Sequence, residues 1–162
     1  MERLRLPNTV ISPVDVARLL RELNNLDDFF VSAKNRQSGT SMQLPKLSRQ
    51  LDQLSHDNDI NLLDETHRSN LNQALNSIYQ SAPKMHISFA SEPGSKPFEQ
   101  VLLWLRKNIH PQTLVTIGLQ PAIAAGCVIR TPNRIFDLSL RSSLEKQRPY
   151  LARLIKGAVD GR

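Results

Sequence analysis

Cysteine is almost missing from this sequence of 162 residues, which holds only Cys127. One thiol forms no internal disulfide, and without a CxxC or Cys/His cluster no metal-ligand set is apparent. Cys127 lies in the apolar run Gly126-Cys127-Val128-Ile129, where nothing nearby in sequence would lower a thiol pKa, so it reads as a small buried residue in a reducing compartment. The four histidines (His56, His67, His86 and His110) have no ligand spacing, and solvated or capping roles suit them. Aromatic residues make up 5%, too few for an aromatic-basic platform of the kind that binds single-stranded nucleic acid. No run approaches the roughly 18 apolar residues that cross a bilayer. The start, Met1-Glu2-Arg3-Leu4-Arg5-Leu6-Pro7, lacks the apolar centre of a secretory signal. A soluble chain is expected, with any membrane association made through partners. There is no GxxxxGK[ST] loop, no GxGxxG, and no nucleophile motif with a supporting base. The expectation is a non-catalytic protein without catalytic residues, cofactor or metal.

What is present is leucine and positive charge. Hydrophobic residues reach 40% and charged residues 22%, enough for a packed core and too ordered a mixture for wholesale disorder. The net charge of +6 is unevenly spread: residues 1–84 hold ten basic and ten acidic side chains, and residues 85–162 hold eleven and five. That asymmetry predicts two units with different partners. An acidic protein surface, an anionic lipid surface or nucleic acid could face the second half.

The first half has helical periods. Ser12-Pro13-Val14-Asp15 supplies a cap, a proline at the first helical position and an acid three residues after the cap. Val16, Leu19, Leu20, Leu23, Leu26 and Phe30 follow at spacings of three and four, predicting a helix to about Ala33 unless Asn24-Asn25 breaks it. Residues 35–43 read as a polar linker. A second helix is expected from near Pro45, carrying Leu44, Leu47, Leu51 and Leu54 and ending in the polar cluster 55–59. A third is expected from about Asn61 to Gln80, closed by Pro83. Three such stripes bury only against one another, so 1–84 is expected to be a small antiparallel helical bundle.

The period changes after Pro83. Met85-His86-Ile87-Ser88-Phe89-Ala90 alternates as a half-buried strand does. A helix is expected over about 97–108, with Phe98, Val101, Leu102, Leu105 and Ile109 as its core face and Trp104 beside them. Strands follow at 114–117 and 127–130. Thr131-Pro132-Asn133-Arg134 turns the chain into a hairpin partner at 135–137. A last helix from near Ser139 should be kinked or divided by Pro149. The fold class expected is therefore α+β, with a helical domain over 1–84 and a small α/β domain with a mixed sheet and two helices over 85–162.

Within that second half, Leu119-Gln120-Pro121-Ala122-Ile123-Ala124-Ala125-Gly126-Cys127-Val128-Ile129-Arg130 precedes Ile135-Phe136-Asp137-Leu138-Ser139-Leu140-Arg141-Ser142-Ser143-Leu144. Together these resemble the C-terminal signature of the delta subunit of F-type ATP synthases, the counterpart of the mitochondrial oligomycin-sensitivity-conferring protein. Gly126, Arg130, Asp137, Ser139, Arg141 and Leu144 carry the resemblance, which covers about 85–157. Gln120, Ala125 and Leu138 stand where that family has an acid and two glycines. Ala125 and Leu138 fit those places only with negative φ.

The resemblance implies a stator (peripheral stalk) subunit lying on the cytoplasmic side of the cell membrane. Its helical domain would meet N-terminal segments of the alpha subunits of the catalytic head, and its C-terminal domain would hold the C-termini of the b-type stalk helices. Leu19, Leu20 and Leu23 are the candidates for head binding, because apolar residues on the first helix exceed a single stripe. Arg148 and Arg153 are the candidates for stalk binding. The residues alone leave a basic nucleic-acid-binding protein or a helical adaptor as alternatives.

Overall fold

A computed structural model describes residues 4–34, 45–123 and 125–159. It is an α+β structure of five α-helices and a four-stranded mixed sheet. The linker expected over 35–43, and Leu44, lie outside the described residues.

Helix α1 runs Pro13–Lys34 without a break at Asn24-Asn25. Its start is a reciprocal cap: Asp15 Oδ2 accepts from the amides of Ile11 (3.1 Å) and Ser12 (2.8 Å), while Ser12 Oγ accepts from the Asp15 amide (3.3 Å). Helix α2 spans Arg49–Asp57, beginning four residues beyond Pro45. Ser48 is its cap, accepting from Leu51 N–H, and Glu22 on α1 in turn accepts from the Ser48 hydroxyl at 2.6 Å. Helix α3 spans Glu65–Ser81 rather than starting at Asn61, because Asp64 caps it by accepting from Thr66 and His67 N–H.

Strand β1 is Lys84–Phe89, helix α4 Ser95–Asn108 and strand β2 Leu114–Leu119. After a 3-10 turn at Pro121–Ile123 come β3, Gly126–Arg130, and β4, Ile135–Ser139. Helix α5, Leu140–Val159, ends the described chain. It runs as one helix through Pro149, so of the kink or division expected there the division is not found; proline removes only one amide donor from the ladder.

The sheet order is β2-β1-β3-β4. Strand β3 pairs antiparallel with both β1 and β4, so in a mixed sheet β1 and β2 form the parallel pair, joined through α4.

The residues divide into two compact units. The first comprises 1–84 with 99–115, and the second comprises 85–98 with 116–162. The segment 99–115, which sequence period alone assigns to the C-terminal domain, thus groups with the helices. The first unit encloses Val16, Leu19, Leu23, Leu26, Leu51, Leu54, Leu71, Leu75, Ile78 and Leu114 as one core. Each helix contributes residues three or four apart, so the three stripes meet in one interior. The second unit buries Ile87, Phe98, Ile123 and Val128.

Candidate functional site

In the first unit, the buried charged groups among the described residues are two arginines, beside the buried hydroxyl of Thr113. Arg68 on α3, 3% exposed, donates from Nε to Asp27 Oδ1 on α1 at 2.5 Å and from Nη1 to the Leu62 carbonyl at 3.0 Å. Its guanidinium also lies 4.4 Å from the Phe30 ring centroid. This side chain fixes α1 against α3 and roofs one end of a groove of about 290 Å³ lined by Asp27, Phe30, Val31, Lys34 and Glu65. Lys34 and Glu65 close its rim with an exposed ion pair at 2.7 Å. The Lys34 ammonium holds the Glu65 carboxyl below its usual range.

Arg106 on α4, 8% exposed, donates to the carbonyls of Pro7 (3.0 Å) and Val10 (2.5 Å). Burial lowers its pKa, and those carbonyl dipoles are what stand against the enclosed charge. Around it, the Gln112 amide donates to the Leu4 carbonyl, and Val115 N–H donates to the Ile11 carbonyl. The irregular segment 4–12 is therefore tied down by α4 and the chain that follows it.

Both arginines escaped the sequence reading, though each left a signal. Arg68 precedes Leu71, Leu75 and Ile78 at stripe spacing, and Arg106 follows Leu102 by four residues. A lone arginine within an apolar stripe marks a buried donor with fixed acceptors.

The head-binding candidates divide. Leu19 and Leu23 are wholly enclosed in the core, so neither offers a surface to a partner; α2 and α3 complete that core and use these leucines for it. Leu20 is half-buried against the same cluster. Trp104, expected to pack with the α4 core face, is exposed, as is Ile109. Only Phe98, Leu102, Leu105 and Arg106 of that helix are buried.

In the second unit, the resemblance-bearing residues Gly126, Asp137 and Ser139 come together in one corner. Gly126 has φ +90°, and it pairs with Ser139 across the hairpin. A Cβ there would collide with the Leu138 carbonyl oxygen and lie 3.1 Å from Ser139 Cα. The position therefore excludes side chains both by conformation and by space. Asp137 sits on β4, in the strand expected over 135–137, and its Oδ1 accepts from Ser139 N–H at 2.9 Å. The Leu140 amide donates to the Ala125 carbonyl at 2.9 Å, which fixes where the strand ends and the helix starts. Gln120, Ile123, Val128, Asp137, Ser139 and Glu145 line a small cleft of about 280 Å³ beside this corner. Asp59 is the one non-glycine with positive φ among the described residues, so Ala125 and Leu138 hold the backbone that their side chains require.

Arg130 ends β3, exposed, opposite Ile135. Arg148 and Arg153 are exposed on α5. The side chains of Arg141 and Leu144 lie outside the described residues; their backbone is helical. Cys127 is half-buried, and burial pushes its thiol pKa up, which lowers its thiolate character. His67 Nδ1 accepts from Asn61 N–H and His110 Nδ1 from Gln112 N–H, which are local capping roles. Among the described residues, no group of His, Cys, Asp and Glu could hold a metal ion, and no helix is long and apolar enough to cross a membrane. No protein-family model matches this chain, and no curated protein matches its sequence.

Proposed function

We propose that this chain is a non-catalytic stator subunit of a rotary F-type, proton-translocating ATP synthase, similar to the delta subunit. It would link the alpha subunits of the catalytic head to the b-type stalk helices, peripherally on the cytoplasmic side of the membrane. The observation that carries the reading is the corner built by Gly126, Asp137 and Ser139. These residues carry the sequence resemblance, and they converge on one hairpin-to-helix junction in which Gly126 admits no substitute. A chance likeness of scattered residues has no reason to converge on a single structural device.

Two surfaces suit the two contacts. In the first unit, the groove between α1 and α3, with Val31 exposed at its side, is the place for a helix of the head, in place of Leu19 and Leu23. In the second unit, α5 exposes Tyr150 and Ile155 together with Arg148, Arg153 and Lys156, which suits the acidic, apolar end of a stalk helix.

The test is reconstitution of the full chain with purified head and with stalk subunit, read by interferometry. Binding to both is expected. Charge reversal by Arg148→Glu with Arg153→Glu should slow stalk association about tenfold at low salt, with the gap closing as salt screens the charges. Failure to bind either partner, with capture of RNA or DNA instead, would replace this reading with nucleic-acid binding.

A further inference from the structure

A cleft of about 830 Å³ lies in the first unit, between α4, the end of α2 and segment 4–8. That volume falls in the range of roughly 300–1,000 Å³ typical of sites for small molecules. Leu4, Leu6, Ile60 and Leu103 give it an apolar wall, and none of the four is fully buried. Its exposed charges cancel, Arg5 and Lys107 standing against Asp57 and Asp59. What remains is Arg106, enclosed in the wall, whose acceptors are all neutral carbonyls. Neutral acceptors satisfy its N–H groups without cancelling its charge. Neither of the ion pairs among the described residues, Lys34–Glu65 and Arg68–Asp27, involves this cleft. An exposed charge acts about fourfold more weakly at a given distance than one set in protein, because water screens it. The guanidinium therefore sets the sign of the cleft. Its Nε is also enclosed and has no acceptor among the described residues, so one donor stays unused.

We propose that this cleft binds a small aliphatic carboxylate, with its charged end held beside Arg106 and its chain laid on Leu4, Leu6, Ile60 and Leu103. A carboxylate brings one negative charge to one enclosed guanidinium, and the bond between them is charge-assisted. A phosphate dianion would instead carry surplus charge past Asp57 and Asp59 at the rim. An oxygen that reaches Nε takes up the unused donor, while the carbonyls of Leu6, Pro7 and Val10 keep theirs. The site stands whether or not the chain serves in a stator, since neither the groove between α1 and α3 nor helix α5 contributes to it.

The probe is octanoate, titrated into the full-length chain by calorimetry beside octanol and octylammonium, which keep the chain length and remove or reverse the charge. Octanoate should bind about tenfold more tightly than octanol, and octylammonium should bind most weakly. In isotope-labelled protein, octanoate should shift the amide resonances of 4–6, 57–60 and 103–107. Leu103→Asp changes an exposed side chain and sets a like charge at the wall, so it should weaken octanoate binding about tenfold. Arg106→Met should weaken it as much and abolish the preference over octanol. Circular dichroism reads folding, and if Arg106→Met does not fold, Leu103→Asp decides. No binding of octanoate, equal or tighter binding of octanol or octylammonium, amide shifts confined to the sheet unit, or full affinity in either folded variant would each overturn the proposal.

Discussion

The two units spend their apolar residues differently. The helical unit closes on itself: Leu19, Leu23, Leu51, Leu54, Leu71 and Leu75 are all fully enclosed, and two buried arginines each find fixed oxygen acceptors. The sheet unit buries Ile87, Phe98, Ile123 and Val128 but leaves Leu119, Ile135, Phe136, Leu138, Leu140, Tyr150 and Ile155 in water. A small sheet with one terminal helix lacks the elements to cover both its faces and its edge. The first unit also exposes Val14, Val31, Leu63 and Trp104, so the difference lies in the core: the first encloses a large apolar interior and the second only a few side chains.

The contrast breaks most sharply on leucine deletion. Leu23→Ala or Leu71→Ala should destabilise the helical unit by about 3–5 kcal/mol, while Leu138→Ala on β4 should change stability by less than about 0.5 kcal/mol. Urea unfolding followed by Trp104, the only tryptophan, reads the first unit directly. Equal losses from both substitutions would erase the distinction.

Arg106→Met tests whether the helical unit depends on its buried charge. It should cost about 2–3 kcal/mol by leaving the Pro7 and Val10 carbonyls without their charged donor. Faster proteolysis within 4–12 would localise that loss. For the sheet unit the decisive position is Gly126, where alanine should cost about 2 kcal/mol or more through its positive φ and the clash with the Leu138 carbonyl. Hydrogen exchange across 126–139 would report it. Gly94→Ala, in the same unit, should be nearly silent, since a Cβ there would only reach Pro97 Cδ at 3.4 Å.

The smallest effect is expected at Asp64. Amides of His67 and Thr66 hold its carboxyl below the ordinary range in the folded state. Its contribution is complete above the unfolded pKa, and it is lost as pH falls through the lower folded value. Asp64→Asn keeps a capping oxygen that does not titrate, so its thermal stability should fall less steeply with acid below about pH 4 than that of the wild type. Parallel acid limbs would remove Asp64 from the account.

Much of the helical unit was legible because its signals are local. Ser12-Pro13-Val14-Asp15 forms the cap that its spacing implies, and Leu71, Leu75 and Ile78 lie inward as their period requires. Legibility failed where a distant residue decides. Ser48 rather than Pro45 starts α2 because Glu22, 26 residues earlier, holds the Ser48 amide and hydroxyl. Trp104 is expected beside the core face of α4, yet Phe98, Leu102 and Leu105 are the residues buried, and position 104 lies off that face. In the sheet unit, the glycine and the Asp137–Ser139 pair could be picked out from sequence, but their meeting depends on hairpin register, which no single stretch contains.

The link from Arg106 to the carbonyls of Leu6, Pro7 and Val10 joins residues about a hundred positions apart. It has a consequence during synthesis. Helices α1 to α3 are complete in the chain once residue 81 is made, but the unit that they belong to also needs Leu114 in its core and Val115 bonded to Ile11. At about 5–20 residues per second, the stretch from 84 to 115 takes roughly 2–6 s to translate. For that interval the nascent chain carries a leucine-rich interior missing its last piece, with segment 4–12 still untied. The first strand of the sheet unit, β1, is made before the helical unit can finish, whereas β3, β4 and α5 are made only after it.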